Sequence, residues 1–142
     1  MVFLIAILVV VADQLTKWLV LNHLAEGQGI DIIPGIFSLT HIENRGAAFG
    51  VLEGNIALFV LLTAIIIGVV YYFYKKQEKN LILTWAVGLI FGGAVGNLID
   101  RLVKHSVTDM FNFHIWPVFN IADIAVCVGC ALLCVYIFKE PS

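Results

Sequence analysis

Apolar residues run without alternation through four stretches of the chain, residues 2–21, 56–74, 81–99 and 118–138. Each comes close to the roughly 20 residues that cross a hydrocarbon core as a helix. The period-two alternation of lipid-facing strands is missing from these spans, so the pattern predicts helices. The spans at 56–74 and 81–99 hold no charge, the first contains Asp13, Gln14 and Lys17, and the fourth contains only Asp123. Between the first two spans, Pro34-Gly35 precedes Ile36-Phe37-Ser38-Leu39-Thr40-His41-Ile42, a turn signal followed by a β-rich run. The predicted fold is an all-α membrane protein of four transmembrane helices. A small β-rich extracytoplasmic segment, residues 22–55, lies between the first and second, and residues 1–142 form a single integral membrane domain.

The amino-terminal span has no basic residue before its apolar run and no small-residue cleavage site after it, so it reads as a retained helix rather than a cleaved leader. Lys75, Lys76 and Lys79 lie between the second and third spans and Lys139 lies in the tail, which predicts that this loop and both termini are cytoplasmic. Residues 22–55 and 100–117 then face the outer side. Composition agrees: 61% of residues are hydrophobic and 13% are charged, against about 25% charged in soluble domains. A net charge of -2 without a basic block leaves nucleic-acid binding unsupported. Cys127, Cys130 and Cys134 share one face of the fourth span, and without further ligands they read as small packing residues. Gly88, Gly92 and Gly96 repeat every four residues and predict close approach of another helix to the third span.

Depth locates the chemistry. Asp13 lies eight residues before Leu21, about 12 Å below the outer end of the first helix. Asn97, Asp100 and Arg101 fall at the outer end of the third span, Asn120 and Asp123 in the first turns of the fourth, and Asp109 in the short segment between them. All five Asp thus map to the outer half, and Asp13, Asp100, Asp109 and Asp123 converge on one level. Asp13 and Lys17, at i and i+4, form a local ion pair. Asp100 with Asn97 would brace a polar network, and Arg101 would anchor at the interface or meet a ligand.

Asp109 and Asp123 have no cation in register. Two such carboxylates share a proton, the acid and base that water attack on an amide needs, or they serve a cation or proton site. A zinc site using His114 with the carboxylates lacks a recognised ligand set, since the four His show no H-E-x-x-H spacing. Ser38 and Ser106 have no evident base and orienting group.

Five blocks carry a family resemblance: Asp13-Gln14-Leu15-Thr16-Lys17, Asn44-Arg45-Gly46-Ala47-Ala48-Phe49-Gly50, Gly96-Asn97-Leu98-Ile99-Asp100-Arg101, Val107-Thr108-Asp109 and Phe119-Asn120-Ile121-Ala122-Asp123. In this order, on a four-span chain, they resemble the bacterial lipoprotein signal peptidase family, also called signal peptidase II. The resemblance implies an intramembrane aspartyl endopeptidase of the bacterial cytoplasmic (inner) membrane. Its substrate would be a diacylglyceryl-modified prolipoprotein, cut on the amino side of the lipidated Cys. Asp109 and Asp123 would be the catalytic pair. Asn44, Gly46, Asn97, Arg101 and Asn120 would bind substrate, and Asp13, Lys17 and Asp100 would support the site. The expected enzyme uses no metal or other cofactor, acts as a monomer among membrane lipids, and faces the outer leaflet with its active site. Met110-Phe111 after Asp109, where the family has an aromatic directly after the Asp, and the 13 residues between Asp109 and Asp123 depart from the family pattern and bear on the substrate entrance.

Overall fold

The computed structural model describes residues 1–46, 55–78 and 80–139. Ala47, Ala48, Phe49 and Gly50 of the second motif block, together with Lys79 of the cationic loop, lie outside the described residues. Among the described residues there are four helices: α1 (Val2–His23), α2 (Ile56–Lys76), α3 (Leu81–Lys104) and α4 (Ile121–Lys139). All four are long and apolar enough to cross a membrane. In hydrocarbon no water can satisfy a backbone N–H or C=O, so an apolar run of this length closes its hydrogen bonds within itself as a helix. The starts of α2 and α3 are capped by the side chains of Asn55 and Asn80, which accept from the N–H groups of Leu58 and Leu83. At its other end α3 closes on His105, in the left-handed region at φ 61°.

The helix ends differ from the apolar runs. α3 continues to Lys104, so Asp100 and Arg101 lie within it, while α4 starts at Ile121 and leaves Asn120 as the residue before its first turn. Polar residues extend a helix once its backbone has partners, so apolar length alone underestimates it.

α3 is the central element, with α1 and α4 packed against it and α2 at its flank. The glycine stripe explains one of these contacts. A Cβ on Gly88 would sit 2.7 Å from the Ile5 Cβ, and one on Gly92 would sit 2.6 Å from the Val9 Cβ, so the helix that approaches the stripe is α1. On α4 the packing face is Ala122, Ala125, Gly129 and Tyr136. Cys127, Cys130 and Cys134 are exposed, which corrects their reading as packing residues: they share a helical face, but it is the one turned away from α3. None of the described residues of α2 is buried within the protein, and its Phe73 ring meets Tyr136 of α4 edge-on at 6.4 Å.

The β-rich reading of residues 22–55 holds and is incomplete. β1 (Gly29–Ile33) and β2 (Phe37–Asn44) form an antiparallel hairpin, and β3 (Val107–Asn112), from the segment between α3 and α4, adds to the free side of β2. The short segment between the third and fourth spans therefore holds a strand, and it carries Asp109. Its partner lies more than 60 residues away in sequence, a pairing that no local pattern announces.

Candidate functional site

The lower layer of the site is a buried ionic cluster between α1 and α3. Lys17 Nζ lies 2.8 Å from Asp13 Oδ2, 3.2 Å from Asp100 Oδ2 and 3.1 Å from Asn97 Oδ1. Asp13 and Lys17 are thus the expected local pair, and Lys17 also spans to the next helix. Asp13 Oδ1 accepts the backbone N–H of Ala122 at 2.9 Å, which ties the start of α4 to α1. Gly96 makes room for this arrangement, because a Cβ there would come within 2.7 Å of Asp13 Oδ2. Gln14 donates to Asp100 Oδ1 at 3.0 Å. Ions this deep are tolerated only when their charges and hydrogen-bonding sites are matched, as they are here.

Asp100 also reaches into the sheet. Its Oδ2 accepts the Thr108 N–H at 3.0 Å and lies 3.3 Å from Lys104 Nζ. The helix end and the strand that follows it are thereby held together, and strand alternation turns the next side chain, Asp109, to the opposite face from Thr108. Asp109 is 3% exposed and accepts from Asn44 Nδ2 at 3.2 Å and from Asn120 Nδ2 at 2.7 Å. Burial, with the nearby charge of Asp123 adding to it, outweighs those two donors and pushes the Asp109 carboxyl up to about 6.

Asp123 is placed by a reciprocal cap. Asn120 Oδ1 accepts the Asp123 N–H at 2.9 Å, and Asp123 Oδ2 accepts the Asn120 N–H at 3.1 Å. The other Asp123 oxygen accepts from Asn97 Nδ2 at 2.8 Å, and Asn97 Oδ1 accepts from Asn120 Nδ2 at 3.0 Å. Asn120, fully buried, therefore touches Asp109, Asp123 and Asn97 at once. The expected convergence of Asp13, Asp100, Asp109 and Asp123 is present as one hydrogen-bonded cluster drawn from α1, α3, β3 and α4.

Asp109 and Asp123 have no cation in register along the chain, yet packing brings two within reach. Arg101 lies within electrostatic reach of both carboxylates, and Lys17 acts on Asp109. The Arg101 guanidinium stacks 4.2 Å from the Phe59 ring centroid on α2 and donates to the Asn97 carbonyl at 3.4 Å. Asn44 Oδ1 accepts the Gly46 N–H at 3.2 Å while its amide serves Asp109, so Asn44 and Gly46 form a turn at the edge of the cluster. Beside Asp123 an open groove of about 280 Å³ is lined by Trp116, Phe119, Ile124, Cys127 and Val128. The cluster can hold one protonated and one ionised carboxyl next to an apolar trough.

Two groups escaped the reading of the sequence. Glu43 accepts from Thr108 Oγ1 at 2.8 Å and from Ser106 Oγ, and it contacts His41 Nε2 at 3.0 Å. Its place opposite Thr108 in the sheet depends on strand register, which is not visible beforehand. Ser38 does have neighbours: its Oγ donates to Asp31 Oδ1 at 2.6 Å and lies 2.8 Å from His114 Nε2. The order is wrong for a nucleophile, since the carboxylate takes the hydroxyl proton, and Ser38 is 2% exposed. His114 is thus committed to the sheet. Among the described residues, no three His, Cys, Asp or Glu side chains are grouped so as to hold a metal ion.

Comparison with known proteins places the chain in a family and agrees with its fold. The family model described as signal peptidase (SPase) II matches residues 5–139. A lipoprotein signal peptidase of Bacillus subtilis is 45% identical over 145 residues, covering 99% of this chain and 94% of that protein. One from Halothermothrix orenii is 42% identical over 142 residues, covering 100% of this chain and 98% of the relative. Two solved bacterial membrane enzyme structures, obtained in meso at 2.3 Å and 1.9 Å, each superpose with a TM-score of 0.89, at 36% and 34% identity. They cover 97% and 99% of this chain, and 87% and 94% of their own. With the buried Asp cluster, the four helices and matches along nearly the whole chain, the protein belongs to the signal peptidase II family.

Proposed function

We propose that the chain is an aspartic endopeptidase that removes the signal peptide from diacylglyceryl-modified prolipoproteins, cutting on the amino side of the lipidated Cys. The observation that carries this reading is the joining of Asp109 and Asp123 through a single buried residue, Asn120. In this mechanism Asp109, whose carboxyl is raised to about 6, holds the proton and donates it to the scissile carbonyl. Asp123 takes a proton from the attacking water. The working state carries its one proton on Asp109.

Asn97 and Asn120 orient the carboxylates, with Asn44, Gly46 and Arg101 disposed around them to hold the substrate backbone or its lipid. Asp13, Lys17 and Asp100 keep the three helices and the strand in place. The apolar groove beside Asp123 suits a substrate that arrives sideways through the bilayer. Lipid burial contributes about 0.8 kcal/mol per CH₂, which localises the diacyl group without an extensive protein surface. The protein acts as a monomer in the inner membrane, with both termini cytoplasmic and the cluster toward the outer leaflet.

The test is incubation of the purified protein with a diacylated precursor and a sequence-matched unlipidated one, reading the cut by mass. Cleavage of the lipidated precursor alone, before its modified Cys, is the expected result, and Asp109→Asn and Asp123→Asn should both be inert while remaining folded. Retained cleavage in both variants would overturn the aspartyl mechanism.

A further inference from the structure

The sheet is weakest where Asp109 needs it most. Along β2 and β3 the register slips between Leu39 and Ile42: Leu39 pairs with Phe111 and Ile42 with Asp109, so β2 spends three steps against two on β3. Such a bulge interrupts the ladder locally. Beside Asp109 the ladder is thus broken on one side, and side chains on the face of the sheet opposite Asp109 add to what holds β3 there.

There Glu43, its side chain 11% exposed, collects the Thr108 hydroxyl at 2.8 Å, the Ser106 hydroxyl and His41 Nε2 at 3.0 Å, with Lys104 Nζ at 3.8 Å. His41 lies inside the bulge and is 6% exposed; its other ring nitrogen, Nδ1, is 2.9 Å from the carbonyl of Leu24, the residue that follows α1. Thr108 directly precedes Asp109 on β3, and Ser106 stands two residues before Thr108, just ahead of the strand. We propose that Glu43 is a positioning residue for Asp109, holding β3 by Thr108 and Ser106 while His41 ties it to the end of α1. The inference rests on Asp109 being one of the two reacting carboxyls.

A buried carboxylate with this many donors is not the cheapest way to close a small sheet, because an apolar residue needs no partners. What the carboxylate adds is direction: its oxygens accept from two hydroxyls, Thr108 on β3 and Ser106 just before it. Burial pushes Glu43 up, but the hydrogen bonds from Ser106, His41 and Thr108 and the charge of Lys104 hold it below its ordinary value, so it stays ionised. The charged or titratable groups facing it are His41 from its own strand and Lys104 from the end of α3. Those acting on Asp109 are Asp123 from α4 and Lys17 from α1, with Arg101 of α3 in reach.

If Glu43 lets go, β3 relaxes, and the bonds from Asn44 and Asn120 to Asp109 lengthen. Those bonds favour the ionised carboxyl, so weakening them makes Asp109 hold its proton to higher pH. Displacement of a reacting group by a fraction of an ångström also slows the chemical step, by about tenfold or more.

The experiment uses the full-length protein and a diacylated precursor, with Glu43→Gln, Glu43→Ala, Thr108→Val and the Glu43→Gln/Thr108→Val double variant. Expected are a kcat loss of about tenfold for Glu43→Gln with KM changed less than about twofold, and an alkaline limb of kcat/KM displaced to higher pH. The double variant should be no slower than the slower single, because both changes cut one connection. General loosening would instead lower the active fraction and leave the limb in place. The proposal is overturned if Glu43→Gln and Glu43→Ala both keep kcat within twofold of the parent, or if their losses multiply with that of Thr108→Val and the limb stays put. Asp109→Asn run alongside separates the two failures. If it still cleaves, the aspartyl reading falls and this inference with it; if it is inert while both Glu43 variants are fully active, only the positioning role falls.

Discussion

Asp109→Asn should make the protein more stable at neutral pH, and the gain should disappear in acid. The side chain is 3% exposed, and its carboxyl is raised from 3.8 to about 6, so at pH 8 the fold carries a carboxylate that it would rather keep protonated. By linkage this difference corresponds to about 3 kcal/mol of lost stability once the pH exceeds 6. The sign follows from proton binding. Below 3.8 both folded and unfolded chains hold the proton and nothing is lost; between 3.8 and about 6 only the unfolded chain ionises, and the loss grows with pH until it levels off. Asn removes the charge but offers an amide N–H₂ to one of two donors, Asn44 Nδ2 or Asn120 Nδ2, and forfeits about 1 kcal/mol there. The net expectation is a variant more stable by about 2 kcal/mol at pH 8 and less stable by about 1 kcal/mol at pH 3.5. Thermal unfolding of parent and variant in the same detergent, followed by circular dichroism from pH 3.5 to 8, measures the crossing. A variant that is less stable at pH 8, or a difference that does not change with pH, would refute the assignment of a buried, strained charge at Asp109.

Lys17→Met leaves Asp13 and Asp100 without their shared cation, and should destabilise the protein by about 3 to 5 kcal/mol, read as a lowered thermal midpoint and loss of cleavage together. Gly96→Ala brings a methyl to 2.7 Å from Asp13 Oδ2, which is itself held by Lys17, and should cost about 1 to 3 kcal/mol; Gly68→Ala, where nothing lies within 4 Å, is the control on α2 that should not. Cleavage by the parent enzyme should decline as pH rises through about 6, where Asp109 loses its proton, and a kcat/KM profile that is flat from pH 5 to 8 would contradict its role as the acid. Asn120→Ala removes the residue that, among the described residues, touches both carboxylates and should lower kcat by about a hundredfold, with precursor binding to the variant measured separately.

The convergence of the carboxylates was legible by depth. Asp13, Asp100, Asp109 and Asp123 stand out because the chain has few charges, and the rise of a helix places them at one level without any knowledge of contacts. The network that joins them was not. Lys17 pairs with Asp13 along its own helix, as i and i+4 residues do, but its bond to Asp100 requires α1 to lie on the glycine stripe of α3. Asn120 was placed in the first turns of the fourth span by apolar length, whereas its work as cap and bridge depends on α4 starting at Ile121, directly after it. The Cys face was read from spacing alone, and spacing tells which residues lie together on a helix without telling which way that face turns.

Sequence alone determined the four spans and the level at which the carboxylates meet, since a backbone in hydrocarbon has to satisfy itself and a helix converts residue number into depth. Tertiary structure decided the pairing of β3 with β2, the approach of Arg101 and Lys17 to the carboxyls, and the buried position of Asp109 that raises it to about 6. Each of these rests on contacts between segments far apart in the chain, where register and packing, rather than any local pattern, set which groups touch.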